Sequence, residues 1–161
     1  MKAIVAVYHK DENSEWGIGR DGTQPLVLNA DRKFFRITTF GATVIVGYKT
    51  MLDFPNSEPL KGRRNIILTR KEIPGLEIVH SIEELNFEEL KDAFVIGGAS
   101  VYNQLLPYCD EVFVTHIYED ISPDVYFPKL NNSQNWETEV LQSGIENNIP
   151  YKIIKYTKIN K

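Results

Sequence analysis

Little in this chain points to a covalent or metal-held scaffold. Its 161 residues contain one cysteine, Cys109, so no internal disulfide can form. The three histidines, His9, His80 and His116, stand far apart and share no ligand spacing with Cys109, which argues against a zinc or other transition-metal site. No apolar run is long enough to cross a bilayer. The N-terminal "AIVAVY" stops at Tyr8 and charges follow, so it is also too short for a secretory leader. A net charge of -4 argues against nucleic acid as a bulk partner. The nucleophile elbow G-x-S-x-G, the phosphate loop G-x-x-x-x-G-K and the dinucleotide fingerprint G-x-G-x-x-G are all missing. These absences leave an expected cytoplasmic protein with no membrane partner, in which Cys109 is simply a buried or half-buried thiol and the Asn131–Asn132–Ser133 glycosylation pattern is chance.

What is present suits a packed core. Apolar residues make up 42% and charged residues 25%, and with no linker or repeat to divide the chain it is expected to form one domain, 1–161. Apolar, β-rich runs fall at 3–8, 43–47, 65–69, 93–98 and 111–117. Their apolar character is continuous rather than alternating, as in strands covered on both faces. Helical patterns lie between them at 29–40, 82–90 and 99–106, with a shorter one after Lys49. Two alternating stretches, 136–142 and 151–159, then follow with no helix between them. The order predicts an α/β fold: a mixed, mostly parallel sheet with flanking helices and a C-terminal antiparallel hairpin. In such sheets the binding crevice lies outside the carboxyl ends of the strands.

Several strand ends carry groups suited to an anion. In "VIGGASVY", Gly97 and Gly98 allow close backbone approach, and the helix opening at Ala99–Ser100 offers free N–H groups. The same turn also reads simply as a tight strand-to-helix connection. Lys49 and Thr50 open another helix, and Thr69, Arg70 and Lys71 follow a strand. Each is plain surface when taken singly, but as a set they favour a phosphate site. Arg63 and Arg64 enter a strand after a Pro/Gly turn, where a guanidinium fork can take a carboxylate or phosphate or merely face solvent.

The stretch "NADRKFFRITT" puts Asp31, Phe34, Phe35 and Thr38 on one helical face. Asn29 is a good N-cap, so on the local pattern the helix dipole explains Asp31 in the first turn better than a ligand cleft, which needs support from elsewhere in the chain.

These motifs, in this order, resemble the dihydrofolate reductases essentially from end to end. The resemblance rests on the N-terminal strand, Ile18–Gly19 in the following loop, the helix with Asp31 and Phe35, "PLKGRRNIILTR", "VIGGASVY", "VFVTHI" and "DVYFP". It implies NADPH-dependent reduction of 7,8-dihydrofolate by a monomer. Asp31 would be the one ionisable group on the pterin, supported by Thr115. Phe35 would pack on the pteridine and benzoyl rings, Arg63 would pair with the glutamate α-carboxylate, and the Val5 and Ile96 carbonyls would line the pocket. Val7, Ile18 and Gly19 would hold the nicotinamide. Lys49, Thr50, Thr69, Arg70 and the turn of Gly97, Gly98, Ala99, Ser100, Val101 and Tyr102 would hold the phosphates and adenosine of the cofactor.

Four positions depart from the family pattern. Leu26 follows Pro25 where a tryptophan is usual, and leucine has no N–H to hold a water. Gln24 replaces an apolar residue in a long polar loop, which is expected to close less firmly. Tyr48 and Ser100 stand where basic residues occur in other members, weakening the expected preference for NADPH over NADH. Two competing readings are a pyrimidine reductase of the same fold, acting on a ribosylaminouracil, and a non-catalytic nucleotide-binding module.

Overall fold

A computed structural model describes residues 1–131 and 134–159. Part of the Asn131–Asn132–Ser133 pattern therefore lies outside the described residues. In chain order the elements are β1 (Lys2–Tyr8), β2 (Trp16–Gly19), α1 (Asn29–Thr39), β3 (Thr43–Gly47), α2 (Tyr48–Leu52), β4 (Arg64–Leu68) and β5 (Glu77–Val79). They continue with β6 (Phe94–Gly97), α3 (Ala99–Leu105), β7 (Glu111–Ile117), β8 (Val125–Phe127), β9 (Trp136–Glu146) and β10 (Ile149–Lys158).

The strands form one sheet in the order β5-β4-β3-β6-β1-β7-β10-β9, with β2 and β8 attached at β1. Neighbours from β5 to β7 are parallel, and β10 joins antiparallel to β7. The central strands are buried almost throughout, as their unbroken apolar runs require: Val7, Val44, Ile45, Val46, Ile67, Val95, Val112 and Val114 expose essentially nothing. The mixed sheet and the hairpin expected from the sequence are both present. The hairpin strands run further than 142 and 151, up to a two-residue turn at Asn147–Asn148. Both residues have positive φ, 52° and 65°, as a tight hairpin turn matching the strand twist demands.

The structure differs from the sequence reading in three places. No α-helix forms over 82–90; a single 3₁₀ turn spans Ile82–Glu84. Ser81 and Glu84 satisfy one another there in a capping box, and Asn86 accepts from the Glu89 N–H at 3.2 Å, so local side chains take the backbone groups a helix would use. Asn29 is the first helical residue and not the cap. The cap residue is buried Leu28, whose side chain makes no capping bond. Finally, Ile18 and Gly19 lie in a strand, not in a loose loop. Tyr8 pairs with Gly17, β2 pairs with β8, and the Asp124 N–H donates to the Gly19 carbonyl at 3.0 Å.

The arrangement that creates a cleft is a splay in the sheet. β1 pairs with β6 only at Lys2–Phe94 and Ala3–Val95, yet it stays paired with β7 through Tyr8. The carboxyl halves of β1 and β6 therefore part, and the sheet opens where the crevice is expected.

Candidate active site

Helix α1 presents its face as the spacing predicts. Asp31, Phe34, Phe35 and Thr38 are half-buried, while Arg32, Lys33, Arg36 and Ile37 are exposed. Phe34 and Phe35 pack on the cluster of Ile4, Val44, Val46 and Ile96, and Phe34 lies 6.1 Å from the Phe113 ring. The Asp31 carboxylate accepts a 2.6 Å hydrogen bond from the hydroxyl of Thr115, itself only 2% exposed in β7. Burial pushes the Asp31 pKa above the usual carboxylate range, and the Thr115 hydroxyl opposes that rise. The charge of Asp31 acts in turn on the phenols of Tyr8 and Tyr102, which burial keeps neutral. Tyr102 links the acid to the glycine turn. Its hydroxyl donates to the Ile4 carbonyl at 2.7 Å, and a side chain added at Gly97 would touch its ring at 3.4 Å.

The two arginines separate cleanly. Arg64 donates to Glu77 and to Glu89, each at 2.6 Å, so its charge is already answered. Arg63 donates only to neutral oxygens, the Lys61 carbonyl at 2.9 Å and the Thr39 hydroxyl at 3.1 Å, and no ion pair forms with it among the described residues. Its guanidinium lies 5.9 Å from the Phe40 ring. Gly62, at φ +76°, makes this possible, because a Cβ there would lie 2.2 Å from Phe40. Thr39 ends α1, so Arg63 is tied to the helix end opposite Asp31, about 12 Å away along the axis at 1.5 Å per residue. One elongated molecule with a hydrogen-bonding ring at one end and a carboxylate at the other fits that separation.

The residues expected to hold the cofactor gather at one edge. β4, β3 and β6 are parallel neighbours, and just beyond their carboxyl ends stand Thr69 and Arg70, then Lys49 and Thr50, then Gly98 and Ala99. Lys49, Arg70 and Ser100 are exposed, and Ser100 accepts from the Gln104 amide at 3.1 Å. The Gly97–Gly98 peptide is cis, with φ +124° at Gly97. A Cβ on Gly98 would sit 2.8 Å from the Thr50 hydroxyl, and one on Gly47 would sit 3.2 Å from Val101. Glycine at these positions lets the turn pack closely on Thr50 and Val101, and bare backbone with cations beside it fits a phosphate-bearing cofactor. Val101 and Tyr102 are buried, so their side chains serve packing while the turn offers its backbone. Val5, Val7, Ile18 and Ile96 are buried along the splay and Gly19 beside it. A separate depression of about 440 Å³, lined by Phe40, Thr43, Glu89 and Asp92, lies at the opposite strand ends and offers carboxylates, unsuited to an anion.

Of the departures from the family pattern, Leu26 and Tyr48 find partners, while Gln24 is exposed. Leu26 is half-buried in the cluster around Ala6, Tyr8 and Leu28, and the Tyr8 hydroxyl donates to its carbonyl. Tyr48 lies under the Lys71 ammonium, 5.5 Å from ring centre to nitrogen, so a cation remains at that position in a different residue. His9 and His116, distant in sequence, meet at 2.7 Å in the core, and His116 also bonds the Tyr156 hydroxyl at 2.8 Å. The residue that sequence reasoning missed is Glu146. Its carboxylate accepts from the N–H of Asn29 at 2.6 Å and of Ala30 at 3.0 Å, capping α1 from 117 residues away, where no local pattern could reveal it.

The family model for dihydrofolate reductase matches residues 3–158. The chain is 32% identical over 151 residues to the dihydrofolate reductase of Bacillus subtilis (strain 168), covering 89% of this chain and 88% of that one. It is 36% identical over 126 residues to the Haemophilus influenzae dihydrofolate reductase, covering 76% and 77%. Among solved structures, the Enterococcus faecalis dihydrofolate reductase complexed with NADP(H) and RAB-propyl superposes with a TM-score of 0.78 at 28% identity, over 99% of this chain and 96% of that one. With the splayed sheet, the Asp31 pair and the glycine turn all in place, the chain belongs to the dihydrofolate reductase family, enzymes that reduce dihydrofolate with NADPH.

Proposed function

We propose that this chain reduces 7,8-dihydrofolate to 5,6,7,8-tetrahydrofolate with Asp31 as its one ionisable pterin-binding group. The observation that carries the assignment is the Thr115–Asp31 bond on a half-buried aromatic helix face beside the splay. NADPH, when bound, supplies the hydride that reaches C6 as the N5–C6 double bond becomes single and N5 takes a proton. Asp31 accepts hydrogen bonds from the pterin ring nitrogen and 2-amino group, with Thr115 fixing the carboxylate. A negative charge held there polarises the ring and raises the basicity of N5, to which solvent delivers the proton. Phe35 packs on the rings, the Val5 and Ile96 carbonyls line the pocket, and Arg63 pairs with the glutamate carboxylate.

Val7, Ile18 and Gly19 orient the nicotinamide and keep water from the transfer site. Lys49, Thr50, Thr69, Arg70 and the turn from Gly97 to Tyr102 hold the phosphates and adenosine, with Lys71 over Tyr48 adding charge at the same edge. One sheet takes in every strand from β1 to β10, which supports a single domain, and the chain acts as a monomer in this reading. The lone buried thiol, Cys109, suits the reducing cytoplasm.

The test is loss of NADPH absorbance on adding dihydrofolate to the purified chain, run beside a ribosylaminouracil substrate and beside NADH. Turnover of dihydrofolate alone, with kcat/KM higher for NADPH than for NADH, is expected. No turnover of dihydrofolate, or a preference for the aminouracil, overturns the assignment.

A further inference from the structure

The first helical N–H groups of α1 have no acceptor within their own helix, and the local sequence supplies none, because Leu28 makes no capping bond. Both acceptors come from the far edge of the sheet. Oε2 of Glu146 takes the Asn29 N–H and Oε1 takes the Ala30 N–H, one oxygen to each donor. We propose that Glu146 is a positioning residue for Asp31, fixing in trans the first turn of the helix that carries the pterin-binding carboxylate. The proposal rests on the assignment of Asp31 made above.

The geometry makes this more than a generic cap. Asp31 directly follows the capped residues, so fraying of that turn moves the carboxylate and its bond to Thr115. Glu146 is itself held in place: it pairs with Ile149 across the two-residue turn at Asn147–Asn148, and β10 is anchored along β7, the strand of Thr115. The approach to the helix is held from the other side by the Tyr8 hydroxyl on the Leu26 carbonyl. A charged acceptor at a helix N-terminus makes short, strong bonds and is favoured by the dipole. It also occupies donors whose partial positive charge would otherwise stabilise the Asp31 carboxylate. The groups facing Asp31 from other elements are Thr115 in β7 and the neutral phenols of Tyr8 in β1 and Tyr102 in α3, and none of these replaces that effect.

The experiment uses the full chain with Glu146→Ala, Glu146→Gln and Glu146→Asp, and Asp31→Asn in parallel. Single-turnover hydride transfer is followed across pH, and dihydrofolate and NADPH affinities are measured separately. Glu146→Ala is expected to slow transfer by about tenfold to a hundredfold, because small misplacements carry effects of that size. It should weaken dihydrofolate by about tenfold, leave NADPH affinity within about twofold, and shift the pH profile to lower pH. Glu146→Gln retains one acceptor and should fall between the alanine variant and the native chain, and Glu146→Asp should restore the profile. Unchanged transfer and dihydrofolate affinity in Glu146→Ala overturns the proposal. So does equal weakening of both ligands without a pH shift, the mark of general loosening. If Asp31→Asn itself transfers hydride at the native rate, the assignment of Asp31 fails. If Asp31→Asn is impaired and Glu146→Ala is not, only the positioning role fails.

Discussion

Along β7 and α1 the polar side chains assigned to the substrate are half-buried or buried and already hydrogen-bonded, Asp31 to Thr115 and, at the end of α1, Arg63 to Thr39. Along β3, β4 and β6 the groups assigned to the cofactor centre on exposed cations and glycine backbone, and the turn works by the close backbone approach its glycines allow. The first region is preorganised: its groups lose little freedom on binding, so changes there should fall on the chemical step and on substrate recognition. The second is a cradle whose side chains order around a charged partner, so changes there should fall on cofactor affinity.

The largest effect expected is on the pterin side. Asp31→Asn keeps the shape and removes the charge, and single-turnover hydride transfer at neutral pH should fall by about 10²–10⁴-fold, the range for loss of a positioned acid–base group. Next comes the cradle. Gly98→Ala drives a methyl against the stiff Thr50 side chain at 2.8 Å, and overpacking of this kind costs about 1–3 kcal/mol. NADPH affinity measured by fluorescence titration should weaken by about tenfold or more while dihydrofolate affinity holds; equal weakening of both would erase the distinction between the regions.

Arg63→Gln should raise KM for dihydrofolate by about tenfold or more, since hydrogen bonds to charged groups contribute about 1.5–3 kcal/mol. It should leave kcat nearly unchanged, and a pterin without the glutamate tail should not sense it. Arg64→Gln in the same assay should change little, because that arginine spends its charge on Glu77 and Glu89 at the surface.

Stability should respond to pH oppositely at two buried sites. The pKa of Asp31 is raised by burial, so its contribution to folding is full below the unfolded value of about 3.9 and is lost as pH rises through the folded value. Asp31→Asn should therefore raise Tm at pH 7, with the gain fading in acid. His116 is pushed down to about 3 by burial and by its neighbour His9. Its contribution is present above the unfolded value of about 6.5 and is lost as pH falls toward 3, so His116→Gln should flatten the acid limb of a Tm-against-pH plot.

Continuity of apolar runs marked the central strands, and helical period marked the face of α1, because burial on a regular element leaves a periodic trace. The face that carries Asp31 was legible for that reason, while its reading as a ligand cleft came from the resemblance of the whole chain. Short strands with few apolar residues, β2, β5 and β8, left no such trace, and the acidic 82–90 segment imitated a helix whose backbone bonds its own Ser81, Glu84 and Asn86 had taken. The choice between Arg63 and Arg64 depended on Glu77 and Glu89, and the cap of α1 depended on Glu146, all partners set by the fold. Arg63 also lies away from the strand carboxyl ends, where the crevice rule directs attention, because its hydrogen bond to Thr39 holds it at the opposite end of α1 from Asp31.

The most direct test of Asp31 as the polarising group is the single-turnover hydride-transfer rate of the native chain and Asp31→Asn across pH. The native rate should titrate with an apparent pKa above the ordinary carboxylate value, and the variant should be slow at neutral pH without that titration. Superimposable profiles for the two proteins would contradict the account.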